Sequence, residues 1–293
     1  MTDKSPNGSE PQTAGTRCAF EIRRLTSADI PDGMRLKNAE GWNQVEADWQ
    51  LYLELAPAGC IAAVRGGLVA GTGVAVSYDC RLAWIGMILV DTASRRLGVA
   101  TTVMRELLQA LAPDMTAKLD ASPVGQPVYE KLGFVAECGL TRMACPAVPS
   151  LLNSVSSVRP LDVPQLAWAA EKDAVAFGVA RASLLSRLLA RTPEAAWCMP
   201  EGFCMGRAGW HSFQIGPVIA THFEAARTVV AAALGRLHGR VVILDVPDAQ
   251  HDMQEWLASL GFVQLRRYVR MVRGANVTGE SERYFAATGP EFG

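Results

Sequence analysis

The sequence has no apolar run near the roughly 20 residues that a membrane-spanning helix needs. Its first residues, 1–17, are polar and rich in Ser, Pro and Gly, and they lack the apolar segment of a secretory signal. A surplus of positive charge is also missing, because 28 basic and 29 acidic side chains leave a net charge of −1. Binding to nucleic acid or to an anionic membrane needs such a surplus. We expect a cytoplasmic protein with neither partner and with a disordered tail at 1–17.

Metal-binding and disulfide patterns are missing as well. The seven cysteines include no Cys-x-x-Cys pair, and the four histidines, all in the second half, do not have metal-ligand spacing. We therefore expect free thiols and no metal site. What is abundant is apolar surface: 49% of the residues are hydrophobic and 19% are charged, which is enough to build a core in each half.

Strand and helix patterns alternate along the first half. Period-two alternation and short apolar runs predict strands, and apolar spacing of three to four predicts helices. The predicted strands are 20–25, 60–64, 68–76, 83–90 and 117–121, and the predicted helices are 98–111 and 126–132. The run at 83–90 is apolar on both faces and therefore central. The mixture predicts an α/β fold of the α+β kind.

Short segments of the first half recur in the same order in the second half. Residues 260–263 repeat Leu-Gly-Phe-Val of 132–135 identically, and 215–218 are similar to 85–88. We predict two tandem copies of one fold. The predicted division is a first domain at 18–145, a linker at 146–157, a second domain at 158–274, and a tail or surface arm at 275–293.

A basic turn with a glycine joins the central strand of the first half to the helix that follows. The strand ends at Val90, and the turn contains Arg95, Arg96 and Gly98. Unpaired N–H groups and the positive end of the dipole attract phosphate to a helix N-terminus. Glycine lets the phosphate approach the backbone closely. The segment predicts a diphosphate site, and an ordinary turn with solvated arginines is the alternative.

Two motifs give this region a specific resemblance. Residues 95–100, Arg-Arg-Leu-Gly-Val-Ala, are similar to the Arg/Gln-x-x-Gly-x-Gly/Ala signature of the GNAT superfamily of N-acetyltransferases. Residues 129–134, Tyr-Glu-Lys-Leu-Gly-Phe, resemble its Tyr-x-x-x-Gly-Phe segment. The resemblance covers about residues 20–143. It implies domains built from a mixed, mostly antiparallel sheet with helices on both faces, and an enzyme that uses acetyl-CoA as cosubstrate.

The resemblance also implies a cosubstrate site and a catalytic acid. The central strand diverges from 117–121, the pantetheine arm pairs with the strand backbone at 88–90, and the amides of 96–101 hold the pyrophosphate. The implied cosubstrate residues are Ile88, Leu89, Val90, Arg95, Arg96, Leu97, Gly98, Val99, Ala100 and Thr101. Tyr129 is implied as the general acid that protonates the departing thiolate.

Candidates for the remaining chemistry come from position along the chain. Asp120 lies near the end of the diverging strand and is our first candidate for the general base, with Glu46 and Asp48 in the acceptor-wall segment as alternatives. Trp42, Asn43 and Asp48 belong to a segment with two tryptophans and several polar groups, which suits a wall of the acceptor pocket. An amphipathic helix with tryptophans in the core is the alternative.

The second copy has no matching cofactor turn. After Ile219 there is no Gly-x-Gly/Ala, and Glu224 would repel a phosphate at the helix start. We expect this degenerate domain to close over the acceptor side of the first. The predicted function is direct transfer of an acetyl group to a primary amine, of a small molecule rather than of a protein, by a monomer or homodimer. The alternative is an acyl-CoA-binding sensor without transfer activity.

Overall fold

The structure, a computed structural model, describes residues 20–150 and 157–293. The tail predicted for 1–17 and residues 151–156 of the linker predicted for 146–157 lie outside the described residues. The strands are β1 Glu21–Arg24, β2 Cys60–Arg65, β3 Leu68–Tyr78, β4 Leu82–Val90, β5 Thr116–Ala121, β6 Val135–Cys145, β7 Arg159–Pro160, β8 Trp197–Met199, β9 Gly202–Ala208, β10 Phe213–Ala220, β11 Val242–Pro247, β12 Val263–Arg273 and β13 Tyr284–Ala286. The helices are α1 Ile30–Ala39, α2 Glu46–Leu55, α3 Val99–Gln109, α4 Gln126–Glu130, α5 Val163–Phe177, α6 Ala182–Arg191, α7 Phe223–Gly235 and α8 His251–Ser259.

All thirteen strands belong to one continuous sheet. Its order is β1-β2-β3-β4-β5-β12-β6-β11-β10-β9-β8-β7, and β13 pairs with β10 beside this path. Strand β12 of the second domain therefore pairs with β5 of the first, while β6 of the first pairs with β11 of the second. The two domains exchange their last strands. The predicted mixed sheets with helices on both faces are confirmed, and the exchange joins them into one.

Helices cover the two faces of this sheet in different ways. Helices α1, α2, α5 and α6 pack on one face, which we call the shared face, because side chains from both domains build a single core there. Trp49, Phe177 and Leu188 are members of that core. On the opposite face α3 covers the strands of the first domain, and α7 and α8 cover those of the second. No helix in the two described ranges is long and apolar enough to cross a membrane.

The amphipathic pattern of α3 explains its position. Val99, Val103 and Leu107 are at most 2% exposed and point to the sheet, while the opposite side of the helix is solvated. Strand β4, beneath it, is buried between α3 and the shared-face helices. This explains why β4 is apolar on both faces rather than alternating. The resulting layers leave the end of β4 and the start of α3 next to each other.

The prediction of a surface arm at 275–293 is wrong for its last ten residues. Strand β13 is buried, and Phe292 is 0% exposed, with its ring stacked on Tyr52 at 4.8 Å between centroids. The Phe292 carbonyl accepts hydrogen bonds from the Tyr78 hydroxyl (3.1 Å) and the Arg181 guanidinium (3.2 Å). The segment lacks helical or strand periodicity because its contacts are made in the core between the two domains, where every side of it is covered.

Candidate active site

Strands β4 and β5 pair only at their beginnings and then diverge. Their parallel pairing runs from Leu82 opposite Thr116 to Trp84 opposite Lys118. Beyond Trp84 the described residues give β4 no strand partner on this edge, while β3 continues along its other edge. We call this opening the first fork. The predicted divergence of the central strand is thus present.

A bulge in β4 faces the first fork. The β3–β4 register shifts beside it, and Met87 has a φ of 54°. The Thr72 hydroxyl fixes this irregular backbone by donating a hydrogen bond to the Met87 carbonyl at 2.9 Å. Ile88 and Val90 are partly exposed after the bulge, whereas Leu89 is buried. Backbone groups at 88–90 are therefore available on the edge that β5 has left.

The turn between β4 and α3 leaves open space in front of the helix. Arg96 has a φ of 63°, and Gly98, the N-cap of α3, has a φ of 86°. A Cβ placed on Gly98 would meet no atom within 4 Å. The first intrahelical bond runs from the Thr102 amide to the Gly98 carbonyl at 2.9 Å. The amides of 99–101 therefore have no acceptor within the helix and point toward this space.

One of the two arginines in the turn is fixed by an ion pair, and the other is exposed. Arg95 pairs with Glu40 at the end of α1, and Asp91 at the start of the turn pairs with Arg35. These ion pairs hold the turn against α1. Arg96 is exposed and has no ion-pair partner among residues 20–150 and 157–293. Its charge is available to an anion in front of α3.

Tyr129 lies on α4, the helix that follows β5 of the first fork. Its ring contacts the edge of Phe134, with centroids 6.2 Å apart, and a Cβ on Gly125 would lie 3.0 Å from the ring. Burial raises the pKa of Tyr129 to about 12. The hydroxyl therefore stays protonated at neutral pH, as a proton donor requires.

Asp120 is held in a bidentate ion pair. Its two oxygens accept hydrogen bonds from Arg270 of β12 at 2.8 and 2.9 Å. Burial raises the pKa of Asp120, and the Arg270 charge opposes that shift. Both oxygens are engaged by a guanidinium, so this geometry favours a structural role for Asp120 over that of a general base.

The residues predicted to form the acceptor wall contact the second domain. Asn43 accepts hydrogen bonds from the His211 and Ser212 amides at 2.9 and 3.0 Å. Asp48 is 0% exposed and pairs with Arg191 at 2.7 Å and Arg207 at 3.1 Å. Burial and these partners favour a role for Asn43 and Asp48 in joining the two domains.

Trp42, the third of these residues, is half-buried and packs against the shared-face core. It lies two residues after Glu40, the C-cap of α1, which pairs with Arg95 of the turn between β4 and α3. Of the three wall candidates, Trp42 therefore keeps a side chain that a ligand can reach.

The second domain has an equivalent fork, which its own chain fills. Strands β10 and β11 pair only at Phe213 and Gln214 before they diverge. Strand β13 then pairs with β10, and the Ala287 amide donates a 2.8 Å hydrogen bond to the Asp245 carbonyl of β11. A Cβ on Gly216 would overlap the Ala287 carbonyl oxygen. We call this filled opening the second fork.

The second fork also lacks the chemical groups of the first. Helix α7 starts directly after β10, and its N-cap, His222, accepts a hydrogen bond from the Ala225 amide at 3.3 Å. In the repeat register set by the Leu-Gly-Phe-Val segments, Leu257 occupies the place of Tyr129. The second domain therefore has neither a glycine turn before its helix nor a tyrosine at the position of Tyr129.

The last residues of the chain continue from the second fork to the shared face of the first, a contact that the sequence analysis missed. The Trp84 indole donates a hydrogen bond to the Pro290 carbonyl at 2.9 Å, and a Cβ on Gly86 would lie 3.0 Å from the Cα of Glu291. The available signal was the apolar run at 284–287, which suits a short strand.

Comparison with known proteins assigns this architecture to a family. Residues 26–134 match the acetyltransferase (GNAT) family, and residues 169–286 match an acetyltransferase (GNAT) domain. The two matches together cover more than three quarters of the chain. The chain therefore belongs to the GNAT acetyltransferases and carries two domains of this family in tandem.

Individual relatives extend over nearly the whole molecule. YitH of Bacillus subtilis strain 168, an uncharacterised N-acetyltransferase, is 23% identical over 83% of this chain and 87% of its own. A crystallised protein from Pyrococcus horikoshii assigned to the acetyltransferases is 26% identical, with a TM-score of 0.82 over 98% of this chain and 100% of its own. A tandem GNAT protein of the clavulanic acid biosynthesis pathway, at 15% identity, shares the fold with a TM-score of 0.60 over 88% of this chain and 99% of its own.

Proposed function

We propose that the protein transfers the acetyl group of acetyl-CoA to a primary amine of a small molecule, directly and at the first fork. The proposal rests on one observation. An open strand edge at 88–90 lies beside open space in front of α3. The strand edge suits an amide-containing arm, and the helix start suits a diphosphate. Acetyl-CoA has both groups.

The residues of the first fork suit such a cosubstrate. Amides of Val99, Ala100 and Thr101 would bind the diphosphate, with Gly98 giving room and Arg96 adding charge. Leu97 is 44% exposed beside them. Arg95, fixed by Glu40, would contribute mainly by shaping the turn. The strand backbone from Ile88 through Leu89 to Val90 would pair with the pantetheine amides.

The chemistry requires an acid for the sulfur. The neutral amine attacks the thioester carbonyl, the C–S bond breaks, and the departing thiolate takes a proton while the amine loses one to solvent or a base. Tyr129, with its raised pKa, is our proposed donor of the proton to sulfur. The base stays unassigned, because Asp120 is paired with Arg270. Alignment of the reactants within the fork would supply a large part of the acceleration.

The acceptor would be small because the shared face of the first fork is partly filled. Residues 289–291 pass against Trp84 and Gly86, and helices of both domains cover the same face. A folded protein or an extended peptide would have little access there. Trp42 would remain the aromatic contact for the acceptor among the residues that the sequence pointed to.

Titration calorimetry with acetyl-CoA tests the proposal. We expect one equivalent to bind, and Gly98→Val to weaken binding on the order of tenfold or more, because its side chain enters the space of the diphosphate. Gly67→Val is a matched control, since Gly67 also has a positive φ (81°) and no atom within 4 Å of a Cβ. It should bind as the wild-type protein does. If both variants lost affinity for acetyl-CoA equally, the turn would not be part of the cosubstrate site.

Transfer is measured separately, as thiol release with a panel of polyamines, aminoglycosides, amino acids and arylalkylamines. Heat from acetyl-CoA without thiol release from any amine would favour the alternative, a sensor that binds acyl-CoA. Absence of any heat from the wild-type protein would contradict both functions.

A further inference from the structure

Arg270 lies at the point where the two strands of the first fork separate. It belongs to β12, the strand that the second domain contributes to the first. Its partner Asp120 is two residues beyond Lys118, the last residue of β5 that pairs with β4. The Arg270 guanidinium also lies over the ring of Trp84, the last residue of β4 that pairs with β5, at 4.6 Å from the ring centroid. One side chain therefore contacts both strands at the vertex of the fork.

From this geometry we infer that Arg270 is a positioning residue for the acetyl-CoA site, supplied by the second domain. The inference rests on the proposed function. Arg270 acts through Asp120 and Trp84 by fixing the separation of β4 and β5, and with it the placement of the strand backbone at 88–90. The first fork is thus incomplete without the exchanged strand.

The contacts of Arg270 have fixed directions. A residue that sets the separation of two strands requires such contacts. Two parallel hydrogen bonds fix the guanidinium plane on the β5 side, and ring stacking fixes it on the β4 side. A ring of Tyr284 at 5.6 Å closes its surroundings. An apolar pair of the same volume would avoid the desolvation cost of the buried ions, but it would leave the strand separation less defined.

The second fork contains a structural twin of this arrangement. Arg142 of β6, the strand that the first domain contributes, pairs with Asp245 of β11 at 2.7 and 2.8 Å. Gln214, which takes the place of Trp84, donates a 2.7 Å hydrogen bond to Asp245. Both arginines secure an exchanged strand, but only Arg270 borders a fork that is open.

The twin supplies the control for the test. Arg270→Gln and Arg142→Gln are compared in two measurements, the thermal midpoint and the Kd for acetyl-CoA, the latter well below both midpoints. Both variants should lose thermal stability, because each leaves a buried carboxylate without its guanidinium. We expect Arg270→Gln alone to weaken acetyl-CoA binding, on the order of tenfold, since small displacements of a positioned site are costly. Arg142→Gln should stay within about twofold of the wild-type Kd.

Conservative variants keep the test decisive if Arg270→Gln does not fold. Arg270→Lys retains the charge but not the planar fork, and it should recover part of the affinity. Trp84→Phe keeps a ring beneath the guanidinium but loses the larger indole, so its Kd should fall between those of the wild-type protein and Arg270→Gln. If the Kd of Arg270→Lys and Arg270→Gln equals that of Arg142→Gln, Arg270 is only a structural ion pair and the inference fails. Failure of the proposed function differs, because then the wild-type protein itself gives no heat.

Discussion

The two forks of this molecule show how one fold is used in two ways. In the first fork, β4 leaves β5 after Trp84 and its edge stays open. In the second, β10 leaves β11 after Gln214, and β13 together with Ala287 takes up the free backbone groups. A diverging strand pair exposes unsatisfied amides and carbonyls, which must be paired with a ligand, water or another strand. The second domain pairs them with its own chain.

This difference explains why the second domain can lack cofactor groups without loss of shape. A strand added to an exposed edge supplies main-chain hydrogen bonds whatever its side chains are. With residues 284–287 in place, neither a phosphate turn nor a tyrosine at position 257 is needed. The filled fork then serves as an anchor from which the last residues reach the shared face of the first fork. The end of the chain thereby covers part of the shared face of the first fork.

Loss of the contacts made by the last residues of the chain should have the largest effect. Phe292→Ala takes a fully buried ring from the junction of the two domains, where it stacks on Tyr52 and lies over Arg207. We expect a loss of about 3–5 kcal/mol in the free energy of unfolding, the usual cost of deleting a buried aromatic ring. Urea denaturation followed by tryptophan fluorescence measures it.

The control for this variant is Leu68→Ala, since Leu68 is 67% exposed and its loss should change the free energy of unfolding by less than about 0.5 kcal/mol. A loss below about 1 kcal/mol in Phe292→Ala would mean that the terminal segment does not belong to the core, and that the two forks differ less than described.

The next effect concerns the proposed catalytic group, Tyr129, for which the second domain has no counterpart. Tyr129→Phe removes the proposed proton donor while keeping the ring, so kcat should fall on the order of 10²-fold, the lower range for a general acid, with acetyl-CoA affinity nearly unchanged. Because burial raises the pKa of Tyr129 to about 12, the wild-type rate should not fall through its ionisation below about pH 11.

Tyr52→Phe is a matched control, because the buried Tyr52 hydroxyl has no hydrogen-bond partner in the described structure. It should leave kcat within about twofold. If Tyr129→Phe kept the wild-type kcat, Tyr129 would not be the proton donor. The two domains would then differ in one feature fewer.

Much of the first fork could be predicted from the sequence because its determinants are local. A buried strand, a basic turn with Gly98, an amphipathic helix and the stop at Gly133 lie within about 50 residues and are each set by short-range preferences. The second domain could be predicted in the same way, from the short segments that repeat those of the first. The roles of Asp120, Asn43 and Asp48 depend instead on partners more than 140 residues away, which no local pattern reveals.

The strand exchange could not be predicted for a related reason. Strands β6 and β12 are copies of each other, so either one has the apolar pattern to pair with β5 or with β11. Short connections favour pairing within a domain, whereas the structure pairs across domains. A signal did exist: Arg142-Met143 recurs as Arg270-Met271, and each arginine has an aspartate for it, Asp245 and Asp120. The exchange is visible only in the structure, where the pairing partner of each strand is known.

The smallest expected effect lies at the start of each copy. Arg23 donates hydrogen bonds to the Asp29 carboxylate at 2.7 and 2.8 Å, and this contact, with help from the Thr26 amide, lowers the pKa of Asp29 to about 2 despite burial. A depressed carboxylate pKa stabilises the fold above the unfolded value near 3.9, and the stabilisation is lost as the pH falls toward 2. Arg23→Met should therefore cost about 1 kcal/mol at pH 7.

The second copy offers the comparison for this variant. Arg159 takes the place of Arg23 in the repeat, but Gln165 stands where Asp29 would be, so Arg159→Met should cost less and show no matching pH dependence. Denaturation at several pH values between 7 and 2 separates the two cases. The gap between wild type and Arg23→Met should be constant down to about pH 5 and should narrow below it. A gap that persists unchanged at pH 2 would assign the effect to packing of the Arg23 side chain rather than to its ion pair.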